Sequence, residues 1–330
     1  MPLEKKGRIY LLVGVIVLLV WAAFSAGKNY NPSSVSEPVK SKRGQSNYTY
    51  ISPLLDCALS EPDSATTKKL ERDLRALIDK KIQEKKVQDV AIYFHDLTGN
   101  SWIGINKSQK FSPASLLKVP IMIAYFKQAE NNPEKLKEEL VVEDVLNPGA
   151  TANIIPQKSV IPGEKYTVEE LIRYAIHYSD NLAANTLLQA MPEEELEKIY
   201  LDIGISPPDP KIGENFMNIM DYASFFEILY NASYLSKDMS EKALAILTES
   251  TFSLGLSSGV PIKVKIAHKF GERIFENQKQ LHDCGIIYRQ NNPYLLCIMT
   301  RSPITQDNNF QEMAEIIKDI SLKVYSPFNN

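Results

Sequence analysis

The hydrophobic pattern divides the chain into segments of different texture. Residues 9–26, IYLLVGVIVLLVWAAFSA, are uncharged and almost entirely apolar, at the lower end of the length needed to span a bilayer. Residues 27–65 are rich in Asn, Pro, Ser and Lys, a linker composition. Leu70, Leu74, Leu77, Ile78 and Ile82 then recur at helical spacing, which predicts an amphipathic helix over 67–86. VAIYFHDL (90–97) and SWIGIN (101–106) are β-rich and flank Gly99–Asn100, so they predict a hairpin. Thr167 and Glu170 have capping-box spacing before a helix that runs to about Tyr178. The whole of 168–250 reads as helices joined by loops. From 261 the rhythm changes again. IKVKIAHKF, GIIYRQ and PYLLCIMTR read as three strands, followed by a helix with Phe310, Met313, Ile317 and Val324 on one face.

This order of elements predicts an α+β fold: one antiparallel sheet, the two end helices on one of its faces, and an inserted all-helical lobe. A cleft is expected between lobe and sheet. The predicted divisions are a short tail (1–8), an apolar segment (9–26), a linker (27–65) and a folded domain (66–330). Lys5, Lys6 and Arg8 precede the apolar run, which orients the tail to the cytoplasm and the domain outside it. The small-residue cleavage site is poor, because Phe24 stands two before Ala26. An uncleaved, single-pass cell-membrane anchor is therefore favoured over a removable signal peptide.

Composition narrows the function. Hydrophobic residues make up 44% and charged residues 23%, as in ordinary globular domains. A net charge of −3 argues against nucleic acid as a partner. There is no Gly-rich phosphate loop, and the four histidines lack metal-ligand spacing, so neither cofactor nor metal is expected. Cysteines 57, 284 and 297 are an odd set. Buried free thiols are favoured over a bridge between Cys284 and Cys297.

The chemistry is carried by FSPASLLKVP, residues 111–120. If Ser112 caps a helix and Pro113 opens it, Lys118 lies one turn beyond Ser115 on the same face. The Ser115 N–H is then a first-turn donor without a helix carbonyl. A nucleophile, a base and a spare N–H make half of an acyl-transfer site. A second S-x-x-K, Ser25–Lys28, lies at the end of the apolar run and carries no such context. Further on, YSDN (178–181) joins two predicted helices, where Asp180 can cap the second and Ser179 and Asn181 can face the cleft. HKFGE (268–272) ends a predicted strand, with Lys269 placed to bind an anion and Gly271 admitting a close neighbour.

S-x-x-K, then S-D-N, then K-x-G is the ordered set found in class A β-lactamases and penicillin-binding proteins. Over roughly residues 67–325 the sequence resembles that serine hydrolase family, including the blocks FSPASLLKVPIMIAYF, YTVEELIRYAIHYSDNLAANTLL and AHKFGE. The resemblance implies a β-lactamase/DD-peptidase-like fold. It also implies roles: Ser115 as nucleophile, Lys118 as its base, Ser179 as proton relay to the leaving nitrogen, and Asn181 as a partner of Lys118 or substrate. The N–H groups of Ser115 and Glu272 would form an oxyanion hole, and Lys269 would attract a substrate carboxylate. The implied substrates are β-lactams or peptidoglycan peptides.

Two departures qualify this. The family's lysine–threonine–glycine is Lys269–Phe270–Gly271 here, and Phe has no hydroxyl to offer a carboxylate. The segment 203–226, which should carry the family's deacylating glutamate in an E-x-x-L-N pattern, is short. Glu214 begins only a loose match, Glu214-Asn-Phe-Met-Asn218. The expectation is a Ser115 acyl-enzyme that deacylates poorly. The alternative is a non-hydrolytic peptidoglycan- or partner-binding module on the same fold.

Overall fold

The structure, a computed structural model, describes residues 48–52, 65–99, 101–144, 152–208, 214–304 and 309–326. The apolar run 9–26 and Cys57 lie outside these. Among the described residues no helix is long and apolar enough to cross a membrane.

The centre is a five-stranded antiparallel sheet in the order β2-β1-β9-β8-β7. β1 (Asp89–Asp96) and β2 (Trp102–Ile105) form the hairpin. β7 (Lys265–Phe275), β8 (Gln278–Tyr288) and β9 (Tyr294–Pro303) form the rest. Both faces are buried, so the strands read as near-continuous apolar runs rather than strict alternations. Val90, Ile92 and Phe94 of β1, with Leu296 and Ile298 of β9, face one core. That core is completed by α1 (Ala65–Gln83) and α8 (Gln311–Tyr325), the first and last helices. Ala91, Tyr93, Leu295 and Met299 point the other way, into the core of the helical lobe.

The lobe is built from α2 (Lys118–Asn131), α3 (Val168–His177), α4 (Asn181–Gln189), α5 (Glu193–Asp202), α6 (Ile219–Tyr230) and α7 (Lys237–Leu247). Short two-stranded ribbons, β3 (Lys110–Phe111) with β6 (Met217–Asn218) and β4 (Glu139–Val141) with β5 (Lys165–Thr167), stitch its loops. The α3 capping box is formed in full. The Thr167 side chain accepts from the Glu170 N–H, and the Glu170 carboxylate accepts from the Thr167 N–H at 2.8 Å.

Three expectations need correction. First, β8 begins at Gln278 rather than Gly285. Its first half, QKQLHDC, is too polar to announce a central strand, yet Lys279, Gln280, His282 and Asp283 are all buried there. Each is held by a dedicated hydrogen bond, which buried polar groups require. Second, Cys284 and Cys297 are directly opposed on β8 and β9 and are joined as a disulfide, not left as free thiols. Register decides this, and register could not be read without the true start of β8. Third, residues 48–52 of the expected linker dock on the folded domain. The Glu241 carboxylate of α7 accepts from the N–H groups of Thr49, Tyr50 and Ile51 at 2.6, 2.8 and 3.0 Å, and Ser52 N–H donates to the Tyr230 carbonyl at 2.7 Å.

Candidate active site

Three pieces of backbone converge where the lobe meets the sheet: the turn before α2, the α3–α4 junction, and the middle of β7. The turn departs from the expected register. Ser115 sits in a 3-10 turn, Ala114–Leu117, and the α-helix starts only at Lys118. Ala114 takes a left-handed φ of 50°, which a non-glycine residue adopts only when its surroundings impose it. Ser112 is not a helix cap, because β8 engages it. Its N–H donates to Gln280 Oε1 at 3.0 Å, and its carbonyl accepts from His282 Nε2 at 2.9 Å. His282 Nδ1 accepts from the Thr300 N–H at 3.2 Å, so the proton lies on Nε2. Burial holds this imidazole neutral, with its pKa pushed down to about 4. The Tyr222 hydroxyl ties down the Leu116 carbonyl at 3.2 Å.

The S-x-x-K pair survives this change of register, since a 3-10 turn also stacks i on i+3. Lys118 Nζ lies 2.9 Å from Ser115 Oγ. It also meets the Ser179 carbonyl at 2.6 Å, Ser179 Oγ at 3.2 Å and Asn181 Oδ1 at 2.6 Å. Ser179 and Asn181 are aimed there by the junction. Ser179 has a left-handed φ of 59°. Asp180 caps α4 through the Leu182 N–H at 3.0 Å and holds the cleft-side loop through the Val160 N–H at 2.8 Å.

Lys269 approaches from β7. Its Nζ donates to Ser179 Oγ at 2.8 Å and to the Phe270 carbonyl at 2.9 Å. Its side chain is 0% exposed, with the Phe270 ring centroid 4.2 Å from its Nζ. Burial pulls Lys118 down to a pKa of about 7, against weaker opposing pulls from Asp180 and Glu272. Burial, and then the neighbouring Lys118, lower Lys269 as well. Two amines share one hydroxyl in a desolvated space, and Lys118 disfavours charge on Lys269. At neutral pH such a site can hold an uncharged amine beside a serine hydroxyl, the pairing that activates a nucleophile.

Gly271 is needed where it stands. A Cβ there would lie 2.8 Å from the Pro113 carbonyl oxygen and 3.0 Å from the Leu116 nitrogen, so β7 and the Ser115 turn touch backbone to backbone. Glu272 follows at the rim. Its carboxylate accepts from Asn153 N–H at 2.7 Å, Asn153 Nδ2 at 2.6 Å and Ile154 N–H at 3.2 Å. Glu214 is placed differently from the other candidates. Its carboxylate is gripped by Arg273, at 2.5 and 3.1 Å, and receives the Ser112 hydroxyl at 3.4 Å. No hydrogen bond joins it to Ser115 or Lys118 among the described residues. Also among the described residues, no cluster of His, Cys, Asp or Glu could hold a metal.

Gln280, His282 and Tyr222, which hold the Ser115 turn, were not legible in the sequence. Their only signal is polarity on an otherwise apolar strand or helix face. The close approach at Gly271 leads to a prediction. Gly271→Ala should push the Ser115 turn away and lower Ser115 labelling by an acylating probe on the order of a hundredfold, the cost of a displacement near 1 Å. Thermal unfolding should remain cooperative. Labelling at the normal rate would mean that the two backbones need not touch.

Comparison with known proteins follows the same lines. A Beta-lactamase from Bacillus subtilis (strain 168) is 25% identical over 243 residues, covering 69% of this chain and 76% of the relative. Among solved structures, PBP-A superposes with a TM-score of 0.64 at 22% identity, covering 79% of this chain and 96% of its own. A beta lactamase from Xanthomonas campestris pv. campestris superposes with a TM-score of 0.63 at 18% identity, covering 77% and 97%. These similarities show the fold. The model of the Beta-lactamase enzyme family matches residues 69–328, a span that holds every residue gathered around Ser115, and the chain therefore belongs to that family.

Proposed function

We propose that this protein is a membrane-anchored serine hydrolase that forms a Ser115 acyl-enzyme with β-lactams or cell-wall peptides and releases it slowly. The observation that carries the reading is the 2.9 Å approach of Lys118 Nζ to Ser115 Oγ, with that amine brought to a pKa of about 7 by burial. A base of that pKa is neutral often enough at physiological pH and still accepts a proton readily.

The steps balance within the cluster. Lys118 takes the Ser115 hydroxyl proton as Oγ attacks the substrate carbonyl. The N–H groups of Ser115 and Glu272 receive the oxyanion. As the C–N bond breaks, Ser179 gives its proton to the leaving nitrogen and is reprotonated by Lys118 across 3.2 Å. Asn181 Oδ1 holds the Lys118 amine in line. Lys269 donates to the Ser179 hydroxyl oxygen, which directs the Ser179 proton away from it.

Hydrolysis of the ester needs a base for water, and Glu214 is engaged by Arg273 and Ser112. Lys118, neutral again after acylation, is left as a slow base. A similar protein supports the comparison: a PBP-A mutant has been solved as an acyl-enzyme complex with penicillin-G, with a TM-score of 0.65 at 22% identity.

Intact mass of the soluble domain after mixing with a penicillin tests both steps. The expected result is a one-to-one adduct on Ser115 that lasts minutes or longer and is absent in Ser115→Ala, since loss of such a nucleophile costs on the order of a millionfold. An adduct on another serine would contradict the assignment. Rapid turnover that Glu214→Gln slows a hundredfold would contradict slow release, because lost general-base help is worth about 10²–10⁴-fold. The anchor reading rests on the apolar 9–26 run and its basic flank. N-terminal sequencing of the membrane fraction should find the chain starting at or near Met1. A soluble form starting near residue 26 would refute it.

A further inference from the structure

The groups gathered around Lys118 are not equally open. Ser115 is half-buried, whereas Lys118, Ser179 and Lys269 are buried. The nucleophile can be approached, but the hydroxyl that would protonate the leaving nitrogen is covered. A substrate has to reach Ser115 Oγ and Ser179 Oγ together, so its leaving group must pass whatever covers Ser179.

Residues 153–160 run across this half of the site, from the sheet wall to the lobe wall. Each end is held by a carboxylate one position from a group of the site. On the sheet wall Glu272, next to Gly271, accepts from Asn153 N–H, Asn153 Nδ2 and Ile154 N–H. On the lobe wall Asp180, between Ser179 and Asn181, accepts from Val160 N–H at 2.8 Å. The two clamps differ in strength. Val160 and Asp180 are buried, and Asp180 also caps α4. Asn153 is exposed and Glu272 half-buried, so water competes for the bonds of that clamp. Between the clamps Ile155 is 83% exposed, and Gln157, Lys158 and Ser159 are exposed as well. Ile154 packs against the core that holds Phe252 and Phe270. A segment fixed in the core at one end, and held at the other by bonds that water can replace, opens from the second end.

We infer that residues 153–160 form a strap over the leaving-group half of the site, latched by Glu272 and pivoting at Asp180, and that the latch opens to admit acyl donors with bulky leaving groups. The strap selects by the size of the leaving group. A penicillin, whose leaving nitrogen stays in a ring, and a cell-wall peptide, whose leaving amine continues into a chain, both need the open form. An acyl donor that releases a small anion needs neither the open form nor the Ser179 proton. The inference rests on the serine hydrolase reading above and adds the element that controls entry to its site.

The test compares penicillin G with the S-methyl thioester of phenylacetylglycine, which offers a similar acylamide but releases only methanethiolate. Acylation of Ser115 is followed on the soluble domain by intact mass, with thiol release as a second readout for the thioester. Asn153→Ala removes one bond of the latch. It should speed acylation by penicillin G about three- to tenfold, the scale of one net hydrogen bond, and change the thioester rate little. In a Cys57→Ser background, Asn153→Cys with Glu272→Cys allows the latch to be joined by a short, reducible bis-thiosulfonate linker. Cys284 and Cys297 are bonded to each other and buried, away from the reagent. Joining should nearly stop acylation by penicillin G and spare the thioester, and reduction of the linker should restore the penicillin rate. Because one protein is compared before and after reduction, damage from the substitutions cancels. Penicillin acylation at the unlinked rate in the linked protein would overturn the inference, as would a penicillin rate unchanged or lowered by Asn153→Ala. Equal loss of both rates on joining would overturn it too, by showing that the strap distorts the site instead of screening the leaving group. Each of these results leaves the hydrolase reading intact. Failure of the unmodified protein to be acylated by either compound would overturn the hydrolase reading and this inference with it.

Discussion

Two lysines meeting at one serine hydroxyl set the terms for the rest of the structure. Lys118 and Lys269 both reach Ser179 Oγ, at 3.2 and 2.8 Å, in a space closed to solvent. Water would separate and screen two such charges, and here it is excluded, so the fold must hold the amines together with both pKa values lowered. The cost appears as a dependence on pH. A buried lysine with a folded pKa near 7, against 10.5 for the free side chain, binds fewer protons in the folded state over that interval. Its contribution to stability therefore rises with pH from about 7 to about 10.5 and is unfavourable below. The surrounding packing supplies the compensation. α2 is buried from Lys118 through Phe126, and β7 presses on the Ser115 turn through Gly271.

The strained backbone at Ala114 and Ser179 belongs to the same constraint. Both residues have left-handed φ values, and both lie where a side chain is aimed into the shared space. Such conformations persist when neighbours over-determine them. Ser112 is gripped by Gln280 and His282, and Leu116 by Tyr222. Asp180 fixes the other junction through two N–H groups. The placement of Ser115 is thus a property of β8, α6 and the α3–α4 turn as much as of its own segment.

Much of this was legible in the chain. The i to i+3 spacing of Ser115 and Lys118 is enough to place them together, in a 3-10 turn as in an α-helix. Thr167 with Glu170, and Asp180 before an apolar run, predicted the helix starts that present Ser179 and Asn181. The hidden parts share one cause: they depend on partners distant in sequence. QKQLHDC reads as a loop because its polar side chains find their partners only in the folded state. The Cys284–Cys297 bond depended on a register that the concealed start of β8 obscured. Lys269 reads as a surface cation, and its burial beneath Phe270 could not be seen in K-x-G. Glu214 looked available until Arg273, on a strand far along the chain, proved to engage it.

Everything proposed for Ser115 depends on Lys118 being neutral in a large share of molecules near pH 7. Side-chain NMR of the soluble domain with labelled lysine measures this directly, and Lys118→Met assigns the resonance by its disappearance. The expected titration midpoint for Lys118 is about 7. A midpoint near 10.4, the value of an unperturbed lysine, would mean that the amine stays charged beside Ser115 and cannot be the base.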